Sequence, residues 1–445
     1  MRTQNTATRQ GLSGVRETTD IVVAIDIGSA RIASVVAELG HDKPLILAAE
    51  SAASFGIRGG EIVDIKRASE AIRITIEAAA DKADTDVKTV IVGLSGDVKL
   101  SLSKAAMDLD HERRTVTSAD VARLRGCLAP ENGGGRRVIH RFDGPYSVGD
   151  LHGIDYPEGM TGDKLEMHAA FLSAPGDRLD NLLKAVRNAG VEIECVSLEP
   201  MSCSLGALTR DERALGAAVL DLGAGGFRGA LWEGGRLRQI HVVPREGSAL
   251  ISQSGRALSP GSASVNGMEG IVMAIARRFR IAPATAERLV CSHGALGESE
   301  AASLPESAEV AAVDGLGSVH VDTKELSRTI EELLTPVARS LREGLSGFSA
   351  GHAVGVVLTG GGSKIKGMPA WISKRFGGAP TRMGVPQWKL AETVQAPPEL
   401  AGCSGCSLSG LIELGAQSRA LLRQKRSTSV FGKITDSLRR VVASL

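Results

Sequence analysis

Aromatic side chains are scarce: three Trp, two Tyr and eight Phe make up 3% of the 445 residues. The cores must therefore be filled by Val, Leu, Ile and Ala, within an apolar fraction of 43%. Charge of one sign is also missing, since 52 basic residues face 51 acidic ones. That balance excludes the whole-chain basic field expected of a nucleic-acid binder. No stretch approaches the roughly 18 consecutive apolar residues of a membrane-spanning helix. The six cysteines, Cys127, Cys195, Cys203, Cys291, Cys403 and Cys406, are scattered without a signal sequence, which suits a reducing cytosol. Cys403-Ser-Gly-Cys406 has redox or half-zinc spacing, but no second such pair accompanies it, so buried or idle thiols are expected. Residues 1–20 are polar, with three arginines, and read as a disordered tail.

The chain is organised around residues 21–38, IVVAIDIGSARIASVVAE. Two β-branched runs flank Gly28-Ser29-Ala30-Arg31, a hairpin signal. Asp26 ends the first strand, and Gly28 lacks the Cβ that would keep an anion from the backbone N–H groups. Ser29 adds a hydroxyl donor and Arg31 a fixed positive charge. A carboxylate beside such a cradle makes sense with a hydrated Mg²⁺ between it and a phosphate. The design recurs at 217–232, AAVLDLGAGGFRGALW, where Asp221, Gly223, Gly225 and Gly226 stand in the corresponding places. A third glycine turn, Gly360-Gly361-Gly362, closes the apolar strand of VGVVLTGGG and is followed by Ser363-Lys364. Two Asp-apolar-Gly hairpins half a chain apart, with a late T-G-G-G turn, resemble the actin/Hsp70/sugar-kinase superfamily of ATP-binding proteins.

Between these landmarks the pattern is α/β. Residues 44–53 read as a third strand, 65–84 as a helix and 89–94 as a buried strand. The stretch 98–166 changes to short alternating strands, with a helix starting at Thr117-Ser118, and reads as an inserted α+β subdomain. Residues 167–172 are expected to resume the first lobe's core, before a helix at 177–189, a strand at 191–198 and a helix at 200–209. The Ser/Gly-rich 246–270 reads as a loop or mobile insertion. A helix at 271–280 carries Arg277, Arg278 and Arg280, with Arg288 on the next, and 297–317 reads as loop. A long helix over 324–345, bent near Pro336, precedes the T-G-G-G turn, and another starts near Cys406.

After a basic linker, 430–445 reads VFGKITDSLRRVVASL. Phe431, Ile434, Leu438, Val441, Val442 and Leu445 fall on one helical face, with Lys433, Asp436, Arg439, Arg440 and Ser444 opposite. An amphipathic helix with basic residues predicts an interfacial anchor on an anionic leaflet.

Taken together, AIDIGSARIASVVAE, GIRGGEIVDI, HGIDYPEGMTGDKLEMHAAFLSA, LLKAVRNAGVEIECVSLEPMSCSLGAL, VVLTGGGSKIKGM and the terminal helix resemble the FtsA family of bacterial cell-division proteins, over residues 21–445. The resemblance implies an actin-like, ribonuclease H-like fold of two lobes with a small inserted α+β subdomain and a C-terminal amphipathic helix. It divides the chain into a tail at 1–20, a first lobe at 21–97 and 167–215, the insert at 98–166, and a second lobe at 216–400 whose smaller outer subdomain spans about 268–345. Residues 401–417 return to the first lobe, 418–429 form a linker and 430–445 the anchor. It further implies ATP and Mg²⁺ as cofactors, with Asp26, Gly28, Ser29 and Arg31 as the first phosphate loop and Asp221, Gly223, Gly225 and Gly226 as the second. Gly360, Gly361, Gly362 and Lys364 would contact adenosine, and Asp26 and Asp221 would lie at the metal. The implied role is polymerisation into filaments that tether the tubulin-like FtsZ, through its C-terminal tail, to the cytoplasmic face of the inner membrane at the division site, and that signal to later division proteins. No nucleic-acid partner is implied.

Two departures bear on chemistry. The family's second loop runs Asp-apolar-Gly-Gly-Gly-Thr, one residue, then Asp. Here DLGAGGFRG puts Ala224 for a Gly, Gly226 for the Thr and Arg228 for the acid. The family's later glycine-rich stretch, with an acid near the metal, is displaced too: Glu246-Gly247 leads into the insertion and GIVMAIA has no Asp. Losing a hydroxyl and a carboxylate weakens metal coordination and water positioning more than nucleotide binding. Binding with slow or absent hydrolysis is therefore expected, with Arg228 either pairing with a phosphate or pointing into solvent. The alternatives are an actin-like adaptor of pilus or secretion machinery, or a sugar kinase of the same superfamily, for which no catalytic base stands out. The basic helix of Arg277, Arg278, Arg280 and Arg288 is the expected surface for the acidic, apolar FtsZ tail.

Overall fold

The computed structural model describes residues 20–109, 114–130, 134–244, 267–313, 317–349, 351–400 and 402–428. The terminal helix expected at 430–445, with all the residues expected to meet a membrane, lies outside them, as does most of the 246–270 insertion.

Two lobes repeat one plan. In the first, Asp20–Ile27, Arg31–Leu39 and Leu45–Ala53 form an antiparallel meander, and Thr89–Leu94 and then Glu192–Leu198 add in parallel beside Asp20–Ile27. In the second, Ala217–Leu222, Phe227–Glu233 and Arg236–Val242 form the meander, and Gly355–Thr359 and Thr381–Met383 add in parallel. Strands buried on both faces need near-continuous apolar runs, which IVVAI and AAVL supply. Val22, Ala24 and Ile25 are fully inaccessible, and side chains the size of Val22 and Ile25 gain about 1.5–3 kcal/mol each from complete burial.

Helix Ile65–Lys82 starts where Asp64 accepts the Arg67 N–H at 3.1 Å. It buries Ala68, Ala71, Ile72, Thr75, Ile76 and Ala79, a three-and-four spacing, against the first sheet. The helix Cys406–Thr428 comes back from the second lobe and covers the other face of that sheet through Leu408, Leu411 and Ile412. It crosses helix Glu199–Ala207 at backbone distance. A Cβ on Gly410 would overlap the Ser202 carbonyl, and one on Gly206 the Cys406 carbonyl. Arg419 then ties this helix to the first lobe, donating to Glu194 at 2.8 and 2.6 Å, to Asp20 at 2.6 Å and to the Ile21 carbonyl at 2.6 Å.

The insert is a four-stranded antiparallel sheet in the order Leu151–Ile154, Arg136–Val148, Lys164–Pro175, Lys99–Asp108. Helix Ser118–Cys127 packs on it, its N-terminus closed by a capping box between Thr117 and Asp120. Residues 167–172 correct the expectation from sequence: they form part of Lys164–Pro175, paired on both sides within this inserted sheet, with Met167, Ala169 and Phe171 in the insert's own core and Leu172 reaching the first lobe's. Their apolar run suits a central strand of either sheet, so composition could not choose between them.

The outer part of the second lobe comprises helices Gly267–Phe279, Pro283–His293 and Thr323–Gly344, the last carrying Pro336 inside it. The 297–317 stretch is not all loop. It contains the short helix Glu298–Ala302 and the strand Ser307–Ala311, which pairs with Ser318–Asp322.

Candidate nucleotide cleft

The two Asp-bearing hairpins turn in the same way. The Gly28 N–H donates to the Arg31 carbonyl at 3.1 Å, and the Gly223 N–H to the Gly226 carbonyl at 3.1 Å. The turns meet across the seam between the lobes. A Cβ on Gly225 would overlap Ser29 Oγ and lie 2.8 Å from the Gly60 nitrogen, while the Gly60 N–H donates to Ser29 Oγ at 2.6 Å. The T-G-G-G turn joins from the second lobe. Thr359 Oγ1 donates to Asp221 Oδ1 at 3.3 Å, and Gly360, at φ +82°, passes so close that a Cβ would lie 2.7 Å from that same oxygen. A left-handed residue against a carboxylate is a place only glycine fills cheaply. Gly362 is likewise wedged against the Leu222 carbonyl and Met268, whereas a Cβ on Gly361 would meet nothing within 4 Å. Lys364 donates to the Pro398 carbonyl at 3.4 Å. Helix Gly267–Phe279 is seated on the second turn, its Met268 and Glu269 N–H groups donating to the Gly223 and Ala224 carbonyls at 3.0 and 3.1 Å.

Beneath the turns lies a buried charge cluster. Antiparallel register sets Asp221 directly opposite Arg228. The guanidinium, only 2% exposed, puts Nη1 3.1 Å from Asp221 Oδ2 and 2.6 Å from Glu199 Oε2. Arg228 thus neither faces solvent nor waits for a phosphate, as sequence alone expected; it is already paired inside the protein. Gly226 makes room for it, since a Cβ there would stand 3.3 Å from Nη2. Asp26 completes the cluster from the first lobe, against Gly93 and hydrogen-bonded to Ser407. Burial, and then the Glu199 charge, push Asp26 up to about 7, with Arg31 pulling the other way. Asp221 is raised by the same two causes against the pull of Arg228. Three carboxylates facing one guanidinium thus retain a proton near neutral pH.

Glu199, Cys203 and Asp221 offer ligand atoms within 4.8 Å of one another. They do not suit Mg²⁺, which demands oxygen ligands in near-octahedral array. Burial, followed by Asp221 and Glu199, holds Cys203 well above its ordinary value, as a neutral thiol, and the guanidinium fills the space between the two carboxylates. Sequence reasoning missed Glu199, Cys203, Thr359 and Ser407. Glu199 alone left a signal, as an acid at a strand end like Asp26, placed before the helix-starting Pro200.

Comparison with known proteins places this geometry. Residues 218–405 match the family model described as cell division protein FtsA, and residues 96–173 match the model of the SHS2 domain inserted in FtsA. The chain belongs to the FtsA family. The FtsA of Escherichia coli strain K12 is 28% identical over 385 residues, covering 82% of this chain and 84% of that protein. The FtsA of Pseudomonas aeruginosa is 27% identical over 372 residues, covering 82% and 83%. Among solved structures, the PilM-PilN type IV pilus biogenesis complex aligns with TM-score 0.55 at 17% identity, over 88% of this chain and 98% of that one. MreB5 of Spiroplasma citri bound to AMPPNP aligns with TM-score 0.51 at 13% identity, over 92% and 99%. These likenesses establish the actin-like fold, with the FtsA-type insert at the sheet containing Lys164–Pro175.

Proposed function

We propose that this actin-like cell-division protein binds ATP between its two hairpin turns, polymerises, and tethers FtsZ to anionic membrane through its terminal residues. The observation that carries the nucleotide reading is the meeting of the turns at Ser29, Gly60 and Gly225, beside Asp26 and Asp221. A phosphate group can enter there only if the turns part, so binding is coupled to the relative position of the lobes. Backbone N–H groups, Ser29 and Arg31 supply the anion contacts, and Gly360, Gly361 and Gly362 the surface for adenosine. With Arg228 in the position of the family's acid, Asp221 already faces a cation of the chain itself. Nucleotide then acts as a conformational ligand with slow or no turnover.

The FtsZ contact is assigned to the outer part of the second lobe. Arg278 is taken up by Glu325 at 3.2 Å and Glu332 at 3.5 Å. Arg288 instead lines a cavity of ≈ 500 Å³ between helix Pro283–His293 and strand Ser307–Ala311. Arg288 with Leu289 and Val310, set against the single acid Glu309 of that lining, suits an acidic, apolar peptide better than the face around Arg278.

Among the described residues no helix is long and apolar enough to cross a membrane. The reading for the terminal residues rests on their amphipathic pattern. Liposome pelleting with anionic lipid tests it: the full chain sediments with vesicles, and a chain ending at residue 429 does not. Calorimetric titration with ATP tests the cleft, and absence of binding removes that part of the proposal.

A further inference from the structure

We infer that Arg228 is the resident cation of the cleft, taking the place of a divalent ion between carboxylates of the two lobes, so that nucleotide binding needs no Mg²⁺. This rests on the nucleotide reading above and extends it to the ion requirement of the same site. Three observations support it independently. The guanidinium bridges the lobes, with one nitrogen on Asp221 of the second and Glu199 at the end of the first. It is held rather than adventitious, because the hairpin register sets Arg228 across from Asp221 and Gly226 presents a bare backbone to its outer face. The corresponding position of the first hairpin, opposite Asp26, is Ala33, so nothing in the repeat itself calls for a cation here.

The chemistry follows from charge. A divalent ion among Asp26, Glu199 and Asp221 would place two positive charges against Arg228, and the ion would have to displace it from both partners. A guanidinium cannot lose its proton to relieve that repulsion. It already donates a hydrogen bond to Asp221 and holds Glu199 in an ion pair. What an ion would do structurally, joining the lobes' carboxylates and screening them from incoming phosphates, Arg228 does covalently attached to the chain.

The test uses the full chain and ATP, titrated by calorimetry in excess EDTA and in excess Mg²⁺. The expected result is affinities that agree within about twofold; a loss of about tenfold or more in EDTA overturns the inference. A second arm follows free Mn²⁺ by electron paramagnetic resonance without nucleotide. The wild type is expected to show no site in the cleft, and Mn²⁺ binding that disappears in Asp221→Asn overturns the inference. Arg228→Thr is expected to acquire both Mn²⁺ binding and a Mg²⁺ requirement, and a variant that folds but acquires neither counts against it. Arg228→Lys keeps the charge and is expected to stay indifferent to EDTA, so the outcome does not depend on whether Arg228→Thr folds. If ATP binds under neither condition, the nucleotide reading fails, while the Mn²⁺ arm still decides the role of Arg228.

Discussion

Replacing Asp26 by Asn should make the protein more stable at alkaline pH and leave it nearly unchanged in acid. Asp26 faces Glu199, Arg31, Arg228 and Ser407, and its folded value of about 7 lies above the ordinary 3.8. A raised carboxyl contributes stability that is fully present below about pH 4 and is lost as pH rises through about 7. At about 1.4 kcal/mol per pH unit the whole span corresponds to about 4 kcal/mol, of which 2–3 kcal/mol, roughly, falls between pH 5 and 7. Asp26 keeps part of its surface accessible, and solvent screening brings the expected change down to about 2 kcal/mol. The neutral amide of Asp26→Asn mimics the protonated acid and avoids that loss. Urea unfolding of both proteins at pH 5, 6, 7 and 8 reads the effect directly, as a gap in favour of the variant that widens with pH. The slope that remains in the variant carries Asp221, which shares the cluster, together with other shifted groups such as the buried His140 and Glu413. Two curves running parallel across the range would refute the claim that Asp26 is held protonated by its surroundings.

Other consequences are equally open to measurement. Gly410→Ala should cost about 2–3 kcal/mol in thermal unfolding, because its methyl meets the Ser202 carbonyl of the crossing helix, whereas Gly126→Ala in helix Ser118–Cys127 has open space and should gain about 0.5 kcal/mol. Arg419→Ala removes donors from Glu194 and Asp20 together and should lower urea stability by about 2 kcal/mol, with Arg419→Lys losing less. Arg288→Glu should weaken an FtsZ-tail peptide about tenfold by fluorescence anisotropy. Arg278→Glu should do little at that site, its charge being already met by Glu325 and Glu332.

Much of this was legible before any coordinates. The hairpin of Asp20–Ile27 with Arg31–Leu39 is written in two β-branched runs around a glycine turn, and the second hairpin repeats it. The place of Arg228 was open to inference as well. A turn from Gly223 to Gly226 pairs Leu222 with Phe227, and hence Asp221 with Arg228 on one face. Pairing the strands residue by residue would have put guanidinium on carboxylate; comparing motif positions alone left it to solvent or phosphate. Glu199 and Ser407 could not be found this way, because they reach the cluster through contacts between elements far apart in sequence. Residues 307–311 and 318–322 were hidden for a local reason: five-residue strands with exposed Ser and Glu carry too little alternation to stand out.

The peptide passes from one lobe to the other beyond Glu199–Ala207 and comes home through Cys406–Thr428, and Gly206 and Gly410 press these two crossings backbone to backbone. Pressed together in this way, the two crossings leave no room for a side chain at either glycine, so the tie depends on residues that line neither turn.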